Sequence, residues 1–407
     1  MKIRLGVATL CLLVLTMVSP APAQIPFGEP FIVNTTTAGD QRSPDVAVGP
    51  DGRFVVVWRS EDQDGSGWGV FACWFDWDGT ALTGEVQVNT STAGNQSLPR
   101  VDGDGMGRFV IVWVDGARGI IARRFDGTGG ALSGEIDVIA SSAAYQSSVS
   151  AAADGSFVVT WLRGAAPDVL VEARRYSDTG FPIGDAFAVS TFAKLAWGEE
   201  TAVKTRDDGS FLIVWGDGEE VFARRYDAVG SPSGDEFQVS QLAPLSFISF
   251  HLGVGSDGAD EYRIFWATDI NLEEVISMTR TVTTSGTLGT LTNLGHPTCR
   301  LPGYSMTPGG DFIVTHFLDL GDLSGTRYDR NLSVLSEFVI APTPDYYLSG
   351  TALAHGGADS RELVAVWAEP PSGPIEWDVK ARIFSGRIFN DGFESGGTGA
   401  WSSATSK

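Results

Sequence analysis

A five-residue apolar run ending in a large ring recurs along the chain. It reads FVVVW at Phe54 to Trp58, FVIVW at Phe109 to Trp113, FVVTW at Phe157 to Trp161 and FLIVW at Phe211 to Trp215. Looser copies follow: YRIFW at Tyr262 to Trp266, FIVTH at Phe312 to His316 and LVAVW at Leu363 to Trp367. The last residues of these runs are separated by 55, 48, 54, 51, 50 and 51 positions. A period of about fifty marks a repeat architecture. β-Branched and aromatic residues fill both alternating faces, so each run predicts a strand covered on both sides and is too short for an independent helix.

Polar punctuation completes the unit. Asp51-Gly52, Asp154-Gly155 and Asp208-Gly209 precede the runs, with Met106-Gly107 and Gly309-Gly310 as variants. Asp-Gly between apolar segments predicts a tight hairpin, here expected as a type I′ turn. A variable loop and a third strand follow each run, as in VFACWFD (Val70 to Asp76), IIARRFD (Ile120 to Asp126) and VFARRYD (Val221 to Asp227). A fourth strand closes it, as in GEVQV (Gly84 to Val88) and GDEFQV (Gly234 to Val239). Four strands per unit, repeated radially, predict an all-β fold: a seven-bladed β-propeller of four-stranded antiparallel blades.

The two ends of the repeat set support a closed ring. The last unit runs through VKARIF, Val379 to Phe384, and lacks a fourth strand, whereas GEPFIV, Gly28 to Val33, is a fourth strand with no unit before it. Pairing Phe31 to Val33 beside Lys380 to Phe384 removes both open edges, so the N-terminal strand is expected to close the ring.

The flanks are read separately. Lys2 and Arg4, the apolar stretch Leu5 to Val18 and the small-residue site Ala21-Pro22-Ala23 predict a secretory signal peptide over 1–23 and export to the extracellular space or cell surface. Cys11 follows Leu10, where a lipoprotein signal would carry a small residue, and no later segment is apolar enough to span a bilayer. The propeller is assigned to 24–386 and a Gly/Ser-rich tail to 387–407. Cys73 and Cys299 are too few for a disulfide scaffold, so the fold rests on its core. Net charge is -22 and falls to -24 without Lys2 and Arg4, which argues against nucleic acid as a partner and suits a soluble, acidic monomer.

The repeat text resembles that of bacterial secreted β-propeller-like proteins whose units read VNT, then DG-FVVVW, then ARRFD. VNTTTAGDQRSP (Val33 to Pro44) and VNTSTAGNQSLP (Val88 to Pro99) carry this wording, and the likeness covers about residues 28 to 386. The chain end, IFNDGFESGGTGAWSS (Ile388 to Ser403), resembles a short tail of exported bacterial proteins. The resemblance implies the propeller fold and assigns no activity.

In a four-stranded meander the second-to-third loops and the links between blades share one face of the disc. These loops vary in length, as a binding surface on a rigid scaffold would, and each second-to-third loop holds a carboxylate. Asp62 and Asp64 are the candidate ligands for a calcium ion, the one cofactor the sequence suggests, set against a plain solvated hairpin. Trp68, Tyr145, Trp197, Tyr346, Tyr347 and Trp377 are candidate ligand-binding rings, suited to packing on sugar C–H groups beside polar neighbours. The alternative is that they fill gaps between blades.

Three other features read as structural. The terminal Trp residues of the apolar runs, with His316 in the sixth, are expected in the core. Gln41, Gln96 and Gln146 each lie eight positions after a strand-ending Val and are expected to bond blade to blade. Arg123-Arg124, Arg174-Arg175 and Arg224-Arg225 are expected to pair with a following Asp126 or Asp227.

None of His251, His296, His316 and His355 shows HExxH or GxSxG spacing, and no Gly-rich phosphate loop is present. The reading is therefore a non-catalytic extracellular binding or scaffold propeller, presenting its loop face to a glycan, protein or cation. The alternative is a propeller glycoside hydrolase or lyase with paired carboxylates at the channel mouth.

Overall fold

The computed structural model describes residues 25–385 apart from 27, 166–167, 192–199, 242–246, 271–273, 298–301, 318–321, 343–347, 349, 357–361 and 370–375. The expected signal peptide and tail lie outside the described residues.

The chain folds as seven antiparallel four-stranded sheets arranged as a propeller. Each blade begins with a strand at the axis: Gln41–Val48, Gln96–Gly103, Ala144–Ala151, Glu200–Thr205, Phe247–Ser256, Tyr304–Met306 and Thr351–Gly356 for blades 1 to 7. The apolar runs form the second strands, for example Phe54–Glu61 in blade 1 and Phe109–Asp115 in blade 2.

The two apolar faces of each run follow from blade stacking. In blade 1, Phe54, Val56 and Trp58 pack with Val364, Val366 and Ile383 of blade 7, while Val55 and Val57 pack with Ile111, Trp113 and Phe125 of blade 2. Every pair of adjacent blades shares such a core. Trp58, Trp113, Trp161, Trp266 and Trp367 are fully enclosed, Trp215 is 3% exposed, and His316 takes the same place at 1%.

The ring closes as the end strands suggest. Phe31 and Ile32 pair with Ala381 and Lys380, and Ile25 and Pro26 pair with Ser385 and Phe384, all along Asp378–Ser385 of blade 7. Val33 adds a bond from its N–H to the Val379 carbonyl at 2.8 Å and is buried.

The VNT wording acquires a mechanical meaning. Val33 and Val88 are buried, and Asn34 and Asn89 accept the N–H of Val379 and Val70 on the neighbouring third strand. Ser190 and Ser240 do the same for Val171 and Val221. The threonines of the links are gripped by acids opening the next blade's fourth strand: Thr36 by Glu85, Thr90 by Glu135 and Thr191 by Glu236.

Three expectations are corrected. The Asp-Gly turns are not type I′, because only the glycine takes positive φ: Gly52 lies at 85° and donates to the Gly49 carbonyl. A three-residue connection ending in a left-handed glycine matches the strand twist without positive φ at Asp51. Gln41 and Gln96 do join links to blades, taking Asn34 and Asn89 as donors. Gln146 does not, since the link into blade 3 is two residues shorter and Ala144 occupies the equivalent place, opposite Arg163. The arginines reach backbone carbonyls rather than the following aspartates: Arg123 bonds Val88, Arg224 bonds Val189 and Arg280 bonds Val239, each the strand-ending residue of the preceding blade. Asp126 instead accepts the N–H groups of Thr128 and Gly130 within its own turn.

Candidate functional site

The inner strands do not run straight to the loop face. In blades 1, 2 and 3 the pairing slips where the strand nears that face, so that Ser43-Pro44, Leu98-Pro99 and Gln146-Ser147 each oppose one residue of the second strand. That residue is Trp58, Trp113 or Trp161. The inner strand of blade 5 slips between Ser249 and Leu252. Ser43, Leu98, Gln146 and His251 all take positive φ, between 48° and 93°. A side chain bearing a Cβ adopts this conformation at a cost of order 1–3 kcal/mol, and such strain concentrates at ligand-facing positions, while a bulge re-aims the residues it carries.

These four residues line one well. It has a volume of about 300 Å³, sits at the loop-face end of the axis, and receives residues from the inner region of all seven blades. A second well of about 280 Å³ occupies the opposite mouth, around Lys204, Arg206 and His355, and no residue lines both.

The loop-face well holds two carboxyls, a guanidinium and an imidazole from four blades: Asp45, Glu200, Arg100 and His251. Asp45 bridges blades 1 and 2, accepting the Val101 N–H at 2.9 Å through Oδ2 and its neighbour Val46 N–H at 3.0 Å through Oδ1. Enclosure by the ring wall pushes its carboxyl up to about 6, against the opposing pull of Arg100 and the two N–H bonds, with Asp102 adding to the rise. Glu200 bridges blades 4 and 5, accepting the N–H groups of His251 and Leu252 at 2.7 and 2.8 Å. Its other oxygen lies 3.6 Å from His251 Nδ1 and 3.9 Å from Arg100. Burial holds the His251 pKa below its ordinary value, Arg100 pushes the same way and Glu200 opposes. The imidazole Nε2 is enclosed with no hydrogen-bond partner among the described residues. The well thus offers one carboxyl that gains a proton in mildly acidic solution, one carboxylate held by backbone N–H groups, a guanidinium and a neutral imidazole.

The residues singled out in the sequence fall elsewhere. Trp68 and Trp377 are half-buried on the loop face of blade 1 and its junction with blade 7, each under an arginine. Tyr145 is half-buried in the inner strand of blade 3 and packs on the core shared with blade 4. Trp197, Tyr346 and Tyr347 lie outside the described residues.

Asp62 and Asp64 sit in the first second-to-third loop, where their carboxylates serve the loop itself. Asp62 accepts the Gly67 N–H, and Asp64 accepts the Ser66 N–H and the Asn89 amide. No group of three or more His, Cys, Asp or Glu side chains able to hold a metal occurs among the described residues. Asp115 and Asp217 likewise cap their own turns.

Sequence reasoning passed over Asp45, Arg100, Glu200 and His251. A signal was present in two of them: Asp45 and Arg100 follow Gln41 and Gln96 by the same interval, in a segment that must become the innermost strand. A charge at that repeat position has nowhere to point but the axis wall or the next blade.

No family model matches the chain, and no curated protein matches it. Among solved structures it is similar to a protein of unknown function from Dyadobacter fermentans DSM 18053, with a TM-score of 0.56 at 10% identity, covering 90% of this chain and 100% of that one. It is also similar to the polysaccharide lyase Uly1, with a TM-score of 0.54 at 10% identity, covering 86% of this chain and 91% of that one. Likeness at this identity is likeness of fold.

Proposed function

We propose that the ring is an exported saccharide-binding propeller whose site is the loop-face well. The observation that carries the reading is the convergence of four strained, non-glycine residues of the inner strands on one open cavity of mixed polarity. Bulged strands leave backbone groups outside the ladder, and a sugar ring with hydroxyls on every edge is matched by scattered donors and acceptors in a small polar cup. The polysaccharide lyase of similar fold provides a precedent for a saccharide on such a ring.

The test is a glycan array followed by titration calorimetry with the saccharide retained. Gln146→Ala removes an amide from the wall without touching a blade interface, and binding is expected to weaken about tenfold, the worth of one or two hydrogen bonds. Unchanged affinity for that variant, with other wall variants equally silent, would place the site elsewhere.

A second reading has its own observation. Asp45 and Glu200 stand in one well, the first enclosed so that its carboxyl is pushed up to about 6 and the second tied to backbone N–H groups, and two carboxyls in unlike surroundings are what acid and base roles require. A hydrolase or lyase working this way would lose more than tenfold in depolymerisation rate on Glu200→Gln, with reducing-end assays as the readout. The binding reading stands first because both carboxylates already accept backbone N–H groups that tie one blade to the next.

A further inference from the structure

Blade 1 carries a row of rings and guanidinium groups that the well does not use. Arg42 and Arg59 are direct partners across its first two strands. Like charges side by side on a sheet destabilise it. Each arginine lies over an indole: Arg42 is 4.4 Å from the Trp377 ring centre and Arg59 is 4.3 Å from that of Trp68. A guanidinium this close to an indole is attracted to the ring face and leaves N–H groups for other partners.

The two arginines differ in what meets those groups. Asp40 meets Arg42 at 2.7 Å and also accepts the Trp377 N–H. For Arg59 no hydrogen bond or ion pair is formed among the described residues, and its Nε is enclosed without an acceptor. Asp40 and Glu61 balance the local charge at a distance, yet neither occupies the Arg59 donors. Burial and the neighbouring Arg42 hold its pKa below the ordinary value, against those two acids. The fold therefore keeps a partly desolvated guanidinium, oriented by a ring, beside a second positive group and with no counter-ion of its own. A carboxylate matches such a fork with two parallel bonds.

We infer that Arg59 and Arg42, flanked by Trp68 and Trp377, form a subsite for the carboxylate of a uronic acid. This rests on the saccharide reading of the well, whose wall begins at Ser43, the residue after Arg42. The bound polymer would be an acidic polysaccharide with one sugar in the well and a carboxylate on blade 1.

The test is affinity electrophoresis of the full chain through gels containing polygalacturonate or alginate, dextran sulfate, or neutral galactan and dextran. At a net charge of -22 the protein is repelled by polyanions at long range, so retardation reports a local site. The expected result is retardation by at least one uronate polymer, at least tenfold weaker in Arg59→Gln and in Arg42→Gln and unchanged in Arg163→Gln, an exposed arginine of blade 3. Thermal midpoints check folding, and Arg42→Gln carries the test if Arg59→Gln does not fold. Retardation by neutral polymers alone overturns the subsite and leaves the saccharide reading standing. Uronate retardation that survives both substitutions does the same. Retardation by dextran sulfate alone overturns the carboxylate assignment, and retardation by none of the polymers overturns both readings.

Discussion

A chain lacking residues 1–33 is expected to be less stable than the full protein by about 5 kcal/mol and to aggregate on standing. Val33 is buried and Phe31 packs against Phe75 at a ring separation of 5.6 Å, and each such apolar side chain contributes roughly 1.5–3 kcal/mol on full burial. The pairing with Asp378–Ser385 and the Val33 bond to Val379 add net contributions of about 1 kcal/mol apiece. Removing them also bares the edge of blade 7, and an open edge recruits other chains. Urea unfolding of the two proteins measures the loss. A synthetic peptide of residues 24–36 should restore stability in proportion to its concentration, because it binds only the folded ring. Equal unfolding midpoints for the full and shortened chains would show that blade 7 closes without the N-terminal strand.

That closure was legible in the sequence because a missing strand and a spare strand are both written in the repeat text. The blades were legible for a related reason: a run such as FVVVW, apolar on both faces, makes sense only between two neighbours. What was not legible depended on registers that the repeat does not carry. Gln146 keeps its distance from Val138 but not its place in the blade, since the shortened link moves it two positions, from the blade junction to the bulge. The arginines of the third strands looked like partners for a following aspartate, whereas adjacent strand residues diverge and the long side chains reach neighbouring blades instead, Arg123 and Arg224 the previous one and Arg175 and Arg225 the next.

The well was the least legible part. QRSPDV and QSLPRV carry a proline and charges and lack the apolar alternation that marks the second strands. Only when seven such segments surround one axis do Asp45, Arg100, Glu200 and His251 come together. The loop aromatics were visible because rings in variable loops stand out locally. Trp68 and Trp377 gain significance from Arg59 and Arg42, and no spacing in the sequence announces that pairing.

Asp45 gives the second large expected effect, on the pH dependence of stability. Its carboxyl titrates near 6 in the ring and near its ordinary value of 3.8 in the unfolded chain. Between those values the ring holds a proton that the unfolded chain has released. Folding then takes up a proton, and the Asp45 contribution to stability falls as pH rises through this window. Below about 3.8 there is no penalty. Above about 6 it is complete, at about 3 kcal/mol for a shift of some two pH units. The charged and imidazole groups around it are Arg100, Asp102, Glu200 and His251, and the comparison is with Asp45→Asn, which leaves all four in place. The difference in unfolding free energy between the two proteins should change by about 3 kcal/mol from pH 4 to pH 7, with the natural protein losing ground as pH rises. Parallel profiles would mean that Asp45 is ionised throughout and that the well is wetter than its walls imply. The same proton bears on the ligand: below pH 6 Asp45 presents a donor to the well and above it only acceptors. A saccharide held there should therefore bind with a midpoint near pH 6 that Asp45→Asn abolishes, which separates a site using this carboxyl from one that merely lies near it.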